Sequence, residues 1–347
     1  MDAIFLQILN GLDKGSAYAL IALGLTLIFG TLGVVNFAHG ALFMIGAFVA
    51  VTLSKVLAIS KVVLDPERLD FLGNPAKIKT PYVIEWFGSF GEWMIDYTIP
   101  LSLLLTIPIM IIIGVVMERG LIRHFYKRPH ADQILVTFGL AIVLQELIKI
   151  FFGSEAVPMQ TPDTFTGALD IGIWFGFNPG SVIYPYWRLV YFFFAAVVIG
   201  GVFSFLRFTT FGMVVRAGMA DRETVGLLGI NIDKKFTIMF GVAAAVAGTA
   251  GAMYTGVNQP VFHMGMDFLV LSFVVVVVGG MGSLPGAVAA GFLLGVLESF
   301  ASMPGVKNAF EAIGLPSIDQ IIIYLVAVII LLVRPRGLMG KVGVMEE

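Results

Sequence analysis

Residues 268–299 read FLVLSFVVVVVGGMGSLPGAVAAGFLLGVLES, an interval whose single charged residue is Glu298. A helix that crosses a bilayer needs roughly 20 predominantly apolar residues, so this block is too long for one ordinary span. Its middle, Gly279-Gly280-Met281-Gly282-Ser283-Leu284-Pro285-Gly286, is a run that a continuous helix does not choose. Glycine gives up the most backbone entropy there, and proline removes a hydrogen-bond donor. The block therefore predicts two short crossings joined by a turn, or a re-entrant pair, in a helical membrane protein.

Composition agrees with that class. Of 347 residues, 58% are hydrophobic and 13% charged, about half the charged share of a soluble domain. A net charge of −2 gives no affinity for nucleic acid. The absence of cysteine excludes disulfides and thiolate metal sites. His39, His124, His130 and His263 are scattered and not at metal-ligand spacing, so no metal site is expected. Asp2 stands where a cleaved signal peptide would carry a basic start, so none is expected.

Outward from the central block, apolar intervals predict spans at about 13–30, 33–54, 99–117, 131–152, 187–206, 236–257 and 318–333. Basic residues orient them. Arg119, Arg123, Lys127 and Arg128 face only Glu118 in one connection; Arg207, Arg216, Arg222, Lys234 and Lys235 crowd another. The segment 153–186 carries Glu155, Asp163 and Asp170, with Arg and Lys absent. Segments 118–130 and 207–235 are thus predicted to be cytoplasmic, as is the tail with Arg334, Arg336 and Lys341. Two crossings in 268–299 then complete an all-α, polytopic bundle of about nine spans with broken or re-entrant helices and an outer N-terminus.

The one sizeable insert, 55–98, is predicted outside, broken by Pro66, Pro75 and Pro81. Tyr82–Trp93, with Trp86, Phe87 and Phe90, reads either as a helix lying in the membrane interface or as an ordered loop. Glu146 and Lys149, at i,i+3, and Glu298 lie near outer span ends, where anchoring is favoured over a substrate or proton site. Gly241, Gly248, Gly251, Gly291 and Gly295 provide the small-residue faces by which helices pack in lipid.

Two places could carry function. Asn36-Phe37-Ala38-His39-Gly40 puts polar groups into an apolar region, so Asn36, His39 and Gly40 line a substrate path or form a structural polar cluster. In 207–235, Asp221 can cap a short helix containing Arg222, Glu223, Thr224, Val225, Leu227 and Leu228, with Gly229 in its closing turn. Flanked by Arg216 and Asn231, this is a docking element or an ordinary cytoplasmic connector. The phosphate-loop, nucleophile-elbow and zinc-hydrolase motifs are absent, so no catalytic residues or bound nucleotide are expected. Asn178-Pro179-Gly180 falls in an outer loop and is not half of an aquaporin-type pair.

Gly24-Leu25-Thr26-Leu27-Ile28-Phe29-Gly30, Val35 through Gly40, Arg216 through Asn231, and Val278 through Gly291 together resemble LivH-type permeases of bacterial branched-chain amino-acid ABC importers. The resemblance covers nearly the whole chain, although the 55–98 insert is longer than the family leads one to expect. It implies a single permease domain over 1–347 in the bacterial inner membrane, N-terminus periplasmic and C-terminus cytoplasmic. It also implies a LivM-like second permease, LivG/LivF-like ATPases holding ATP and Mg, and a periplasmic substrate-binding protein. Arg216–Asn231 would be the coupling element, and alternating access would move branched-chain or other small neutral amino acids. Urea or short amides are an alternative cargo; a passive small-solute channel or an intramembrane enzyme are the competing classes.

Overall fold

The computed structural model describes residues 2–69, 75–159, 166–312, 314 and 317–340. In chain order, α1 (Asp2–Leu32) and α2 (His39–Leu57) precede a hairpin of β1 (Ser60–Leu69) and β2 (Pro75–Pro81), then α3 (Tyr82–Phe87) and α4 (Ser89–Asp96). Next come α5 (Thr98–Gly120), a 3-10 turn at Ile122–Phe125, and α6 (His130–Phe152). A small ribbon of β3 (Ala168–Asp170) and β4 (Ile183–Pro185) leads to α7 (Tyr186–Phe208), α8 (Thr210–Ala220), α9 (Arg222–Leu227) and α10 (Ile232–Tyr254). The chain continues through α11 (Met264–Gly279), α12 (Leu284–Ala301), α13 (Pro304–Glu311) and α14 (Ile318–Val333).

Among the described residues, seven helices are long and apolar enough to cross a membrane: α1, α2, α5, α6, α7, α10 and α12. The shorter apolar helices α11 and α14 complete the set of intervals expected from the sequence. The 268–299 block resolves into α11 and α12. Gly280 (φ +102°) and Gly282 (φ +81°) turn the chain between them. Ser283, a turn residue as expected, caps α12, its Oγ accepting from the Gly286 N–H at 3.3 Å.

Burial sorts the helices into a centre and a rim. α1 and α10 are almost wholly enclosed, whereas α6 and α7 show most of their apolar surface to the outside. Leu135, Val143, Ile150 and Phe151 of α6 point outward, an apolar exterior suited to lipid or to another membrane chain. At the centre, backbones touch because glycines remove the side chains between them. A Cβ on Gly46 would overlap the Gly248 backbone of α10, and one on Gly251 would overlap the Phe43 carbonyl of α2. A Cβ on Gly291 would lie 2.7 Å from the Ala19 nitrogen, and one on Gly295 would overlap the Gly15 backbone, so α12 lies along α1.

The two ends of the described chain lie at opposite ends of the bundle. At one end, Ser299 Oγ donates to the Gln7 carbonyl at 2.8 Å, and the Val157 N–H donates to the Pro260 carbonyl at 3.0 Å. At the other, Leu338 and Met339 N–H groups donate to the carbonyls of Val278 and Gly279, and Arg123 lies 3.7 Å from Asp233. Lys341 and Asp163, used above for orientation, fall outside the described residues.

The sequence placed the first span at about 13–30, yet α1 starts at Asp2. Asp13 and Lys14 read as a boundary, but distant segments pair them within the helix. Lys14 Nζ lies 2.7 Å from Glu298, whose second oxygen accepts from Tyr18 Oη at 2.5 Å. Arg188 of α7 lies 3.7 Å from Asp13 and donates to Asn10 Oδ1 at 3.2 Å. Glu298 thus pairs α12 to α1, and Glu146 pairs with Lys149 at 3.4 Å. Glu298→Leu should lower stability by about 2 kcal/mol, read as the thermal midpoint in detergent. The cost stays below that of a fully buried pair because Lys14 is partly exposed.

Within the insert the structure adds a β-hairpin that the sequence reading did not anticipate, and makes Tyr82–Trp93 helical rather than a loop. β1 pairs antiparallel with β2, with Lys61 opposite Thr80 and Val63 opposite Ile78. Pro75 and Pro81 sit at the limits of β2, where a missing N–H is tolerated. The Tyr82–Trp93 stretch is helical but divided, because Gly88 at φ +56° ends α3 and begins α4. Asn178-Pro179-Gly180 lies in the loop of the β3–β4 ribbon, away from the spans.

Candidate functional site

Between α1 and α2 the chain leaves helical geometry at residues 33–38, directly after Leu32. Gly33 has φ +65° and donates to the Phe29 carbonyl at 2.8 Å, ending α1 with a left-handed glycine. Asn36 and His39 are fully buried. Asn36 Oδ1 accepts from the Ala38 N–H at 3.0 Å, and the Phe37 N–H donates to Thr137 Oγ1 of α6 at 3.0 Å. A Cβ on Gly24 would lie 2.5 Å from His39 Nε2, so the glycine of the first motif makes room for the histidine of the second. Gly40 abuts the Gly265 carbonyl and Leu269 of α11. The three predicted path residues are therefore brought together where α1, α2, α6 and α11 meet.

The Asn36 amide nitrogen and both His39 ring nitrogens lack hydrogen-bond geometry to any described protein group, although the ring lies by the backbone of Ile21. A buried polar group left without a partner costs about 1–3 kcal/mol. Thr137 was not singled out from the sequence; one threonine in an apolar span gives no signal until its partner is known. Thr137→Val keeps the shape but strands the Phe37 N–H, and should cost about 1–2 kcal/mol in thermal unfolding.

The second site is a knuckle between α7 and α10. Thr209 Oγ1 accepts from the Gly212 N–H at 3.0 Å and starts α8. Asp221 Oδ1 accepts from the Thr224 N–H at 2.9 Å, and the Thr224 hydroxyl donates to the other Asp221 oxygen, so Asp221 caps α9. Gly229 closes the turn at φ +76°, and Asn231 Oδ1 accepts from the Lys234 N–H at 3.0 Å to start α10. Val225, Ile232 and Phe236 form a small core beneath. Leu227 and Leu228 stand above it, 84% and 72% exposed. Arg216 is also exposed, while the Arg222 and Glu223 side chains lie outside the description.

Sequence reasoning missed α8. Its signal was present in the Thr209 cap and in the helical spacing of Phe211, Val214, Val215 and Gly218. That helix matters because it ties the knuckle to the break. Met219 Cε would lie 2.9 Å from a Cβ on Gly30, and Leu32 packs against the Val225 cluster. The knuckle therefore touches the last turn of α1, immediately before the break at 33–38.

Seven long and two shorter apolar helices among the described residues, packed backbone to backbone at glycines, make this a polytopic membrane helical bundle. The chain belongs to the family described as branched-chain amino acid transport system / permease component, whose model matches residues 7–331. It is 28% identical to the high-affinity branched-chain amino acid transport system permease protein BraD of Pseudomonas aeruginosa, over 96% of this chain and 95% of that protein. It is 27% identical to the corresponding protein LivH of Escherichia coli K12, with the same coverage. A probable LivH of Methanocaldococcus jannaschii is 26% identical over 92% of this chain and 88% of its own length. No solved structure matches the chain significantly. It is a multi-pass membrane protein of the transport class.

Proposed function

We propose that the protein is the permease subunit of an ATP-driven importer of branched-chain or other small neutral amino acids. A LivM-like second permease shares the translocation path, LivG/LivF-like ATPases carry ATP and Mg, and an extracytoplasmic binding protein delivers substrate. The membrane is the bacterial inner membrane, with the α1 N-terminus periplasmic and the knuckle and tail cytoplasmic, as the basic residues of the connections favour.

The observation that carries this reading is the Leu227–Leu228 pair, two large apolar side chains presented to water on a capped, internally packed element. ATPase closure pushes the knuckle through Arg216, Asp221, Arg222, Glu223, Thr224, Leu227, Leu228, Gly229 and Asn231. Through Met219 on Gly30 and the Val225 cluster on Leu32, that push reaches α1 as well as α7 and α10. The break bearing Asn36, His39 and Gly40 then alternates between its two sides. Its polar groups offer the hydrogen bonds that a desolvated amino acid needs.

The test is leucine uptake into vesicles containing this chain, with the second permease, ATPases and binding protein added or omitted. Uptake that requires ATP and every partner is expected. Flux through this chain alone without ATP would establish a channel. ATP turnover without leucine uptake would redirect the search to urea or short amides.

A further inference from the structure

The 55–98 insert is not accounted for by transport, and its outer surface is unusual. Trp86 is 72% exposed, Phe87 and Phe90 each 56%, and Trp93 44%. The rings form a continuous row: Phe87 to Phe90 at 6.4 Å, Phe90 stacked on Trp93 at 5.4 Å, Trp93 to Tyr97 at 5.3 Å. Tyr82 and Trp86 form a further pair at 5.9 Å. Gly91 lets the two helices fold tightly on one another, because a Cβ there would overlap the Val83 carbonyl. The internal contacts of α3 and α4 are thus made at that glycine, and the rings are left over.

The height of this row is fixed by the chain itself. The Tyr97 N–H donates to the Trp93 carbonyl at 3.0 Å, and the Leu101 N–H donates to the Tyr97 carbonyl at 3.0 Å, so α4 runs into α5 with barely a break. Along a helix, Trp93 lies about 6 Å before Tyr97. α5 then spans the membrane with Leu104, Ile112 and Val116 turned outward. The aromatic row therefore begins where the hydrocarbon layer ends, the depth at which amphipathic rings are most stable. Among the described side chains of the insert after α2, Lys61, Lys77 and Lys79 are balanced by Glu85, Glu92 and Asp96. Attraction to anionic headgroups is not what holds it.

We propose that α3 and α4 form a paddle seated in the headgroup–acyl boundary of the bilayer, with Phe87, Phe90 and Trp93 as its lipid-facing edge. It buttresses the outer end of α5 from the side, held by ring burial and not by charge. The chain contains no cysteine, so single cysteines can be spin-labelled in the full protein. Phe87→Cys and Phe90→Cys are placed in nanodiscs of neutral phosphatidylcholine without partners. Leu104→Cys serves as the lipid reference and Leu228→Cys as the water reference. Labels at 87 and 90 are expected to favour molecular oxygen over an aqueous nickel chelate several-fold relative to 228, approaching 104, with no change in high salt. Labels as open to the chelate as 228 would overturn the proposal and make the row a docking face for a soluble protein. Labels shielded from both reagents would also overturn it, in favour of coverage by another protein chain.

Discussion

On the proposed docking reading, a Leu227→Asp, Leu228→Asp double variant is expected to lose ATP-driven amino-acid uptake while remaining folded in the membrane. Burying a leucine contributes about 1.5–3 kcal/mol, so a docking face that loses both forfeits about 3–6 kcal/mol. At 1.4 kcal/mol per factor of ten, affinity for the ATPase falls at least about a hundredfold. The buried aspartates would add a desolvation cost on top. Because both side chains point to water in the isolated chain, stability should move by less than about 0.5 kcal/mol. Co-purification of ATPase with the variant, alongside uptake, checks both halves. A variant that still captures ATPase and transports would move the docking site elsewhere on the protein. Val225→Asp is the contrasting substitution: it puts a charge into the core under the knuckle and should disorder α9 itself.

Gly46→Val should prevent the bundle from assembling. The new Cβ would occupy the space of the Gly248 carbonyl and Cα, which belong to a helix enclosed on nearly every side. Backbone cannot rotate away as a side chain can, so α2 and α10 must separate along their shared seam. The loss is about 3 kcal/mol or more, enough to remove folded protein from membranes. The matched control is Gly139→Val on α6, where an added Cβ meets nothing within 4 Å. Yields of folded protein by size-exclusion profile should differ sharply between the two. Equal yields would mean that the central seam is not close-packed.

Those two glycines show what a sequence does and does not reveal. Hydropathy places both in apolar spans, and small-residue spacing marks Gly248 and Gly251 as packing positions; which glycines face a backbone depends on helix rotation, and one chain does not encode that locally. The spans themselves were readable because each is a local property of about twenty residues. So were the 280–283 turn, which glycine and proline announce, and the Asp221 cap. The first turns of α1 were hidden because Asp13 and Lys14 find Arg188 and Glu298 only after long stretches of chain have intervened. The β1–β2 hairpin was hidden by its prolines, which read as breaks: Pro75 and Pro81 sit at the limits of β2, and Pro66 lies inside β1 where the pairing register shifts between Asp65 and Leu69. Of the candidate sites, the polar break and the exposed leucines could be named from sequence. The contact of Met219 with Gly30, which joins them, could not, since it depends on an unrecognised helix folding back under α1.

The lengthwise packing of α1 against α12 has a consequence for how the protein is made. α1 leaves the ribosome first, yet its most extensive partner lies some 250 residues later in the chain. At about 5–20 residues per second, α1 waits roughly 13–50 s before α12 exists. During that interval Lys14 lacks Glu298, and the glycine faces at Gly11 and Gly15 have nothing of α12 to meet. The tail segment that satisfies the Val278 and Gly279 carbonyls is made later still. The insertion machinery has to shelter one of the two most enclosed helices of the bundle for most of its synthesis.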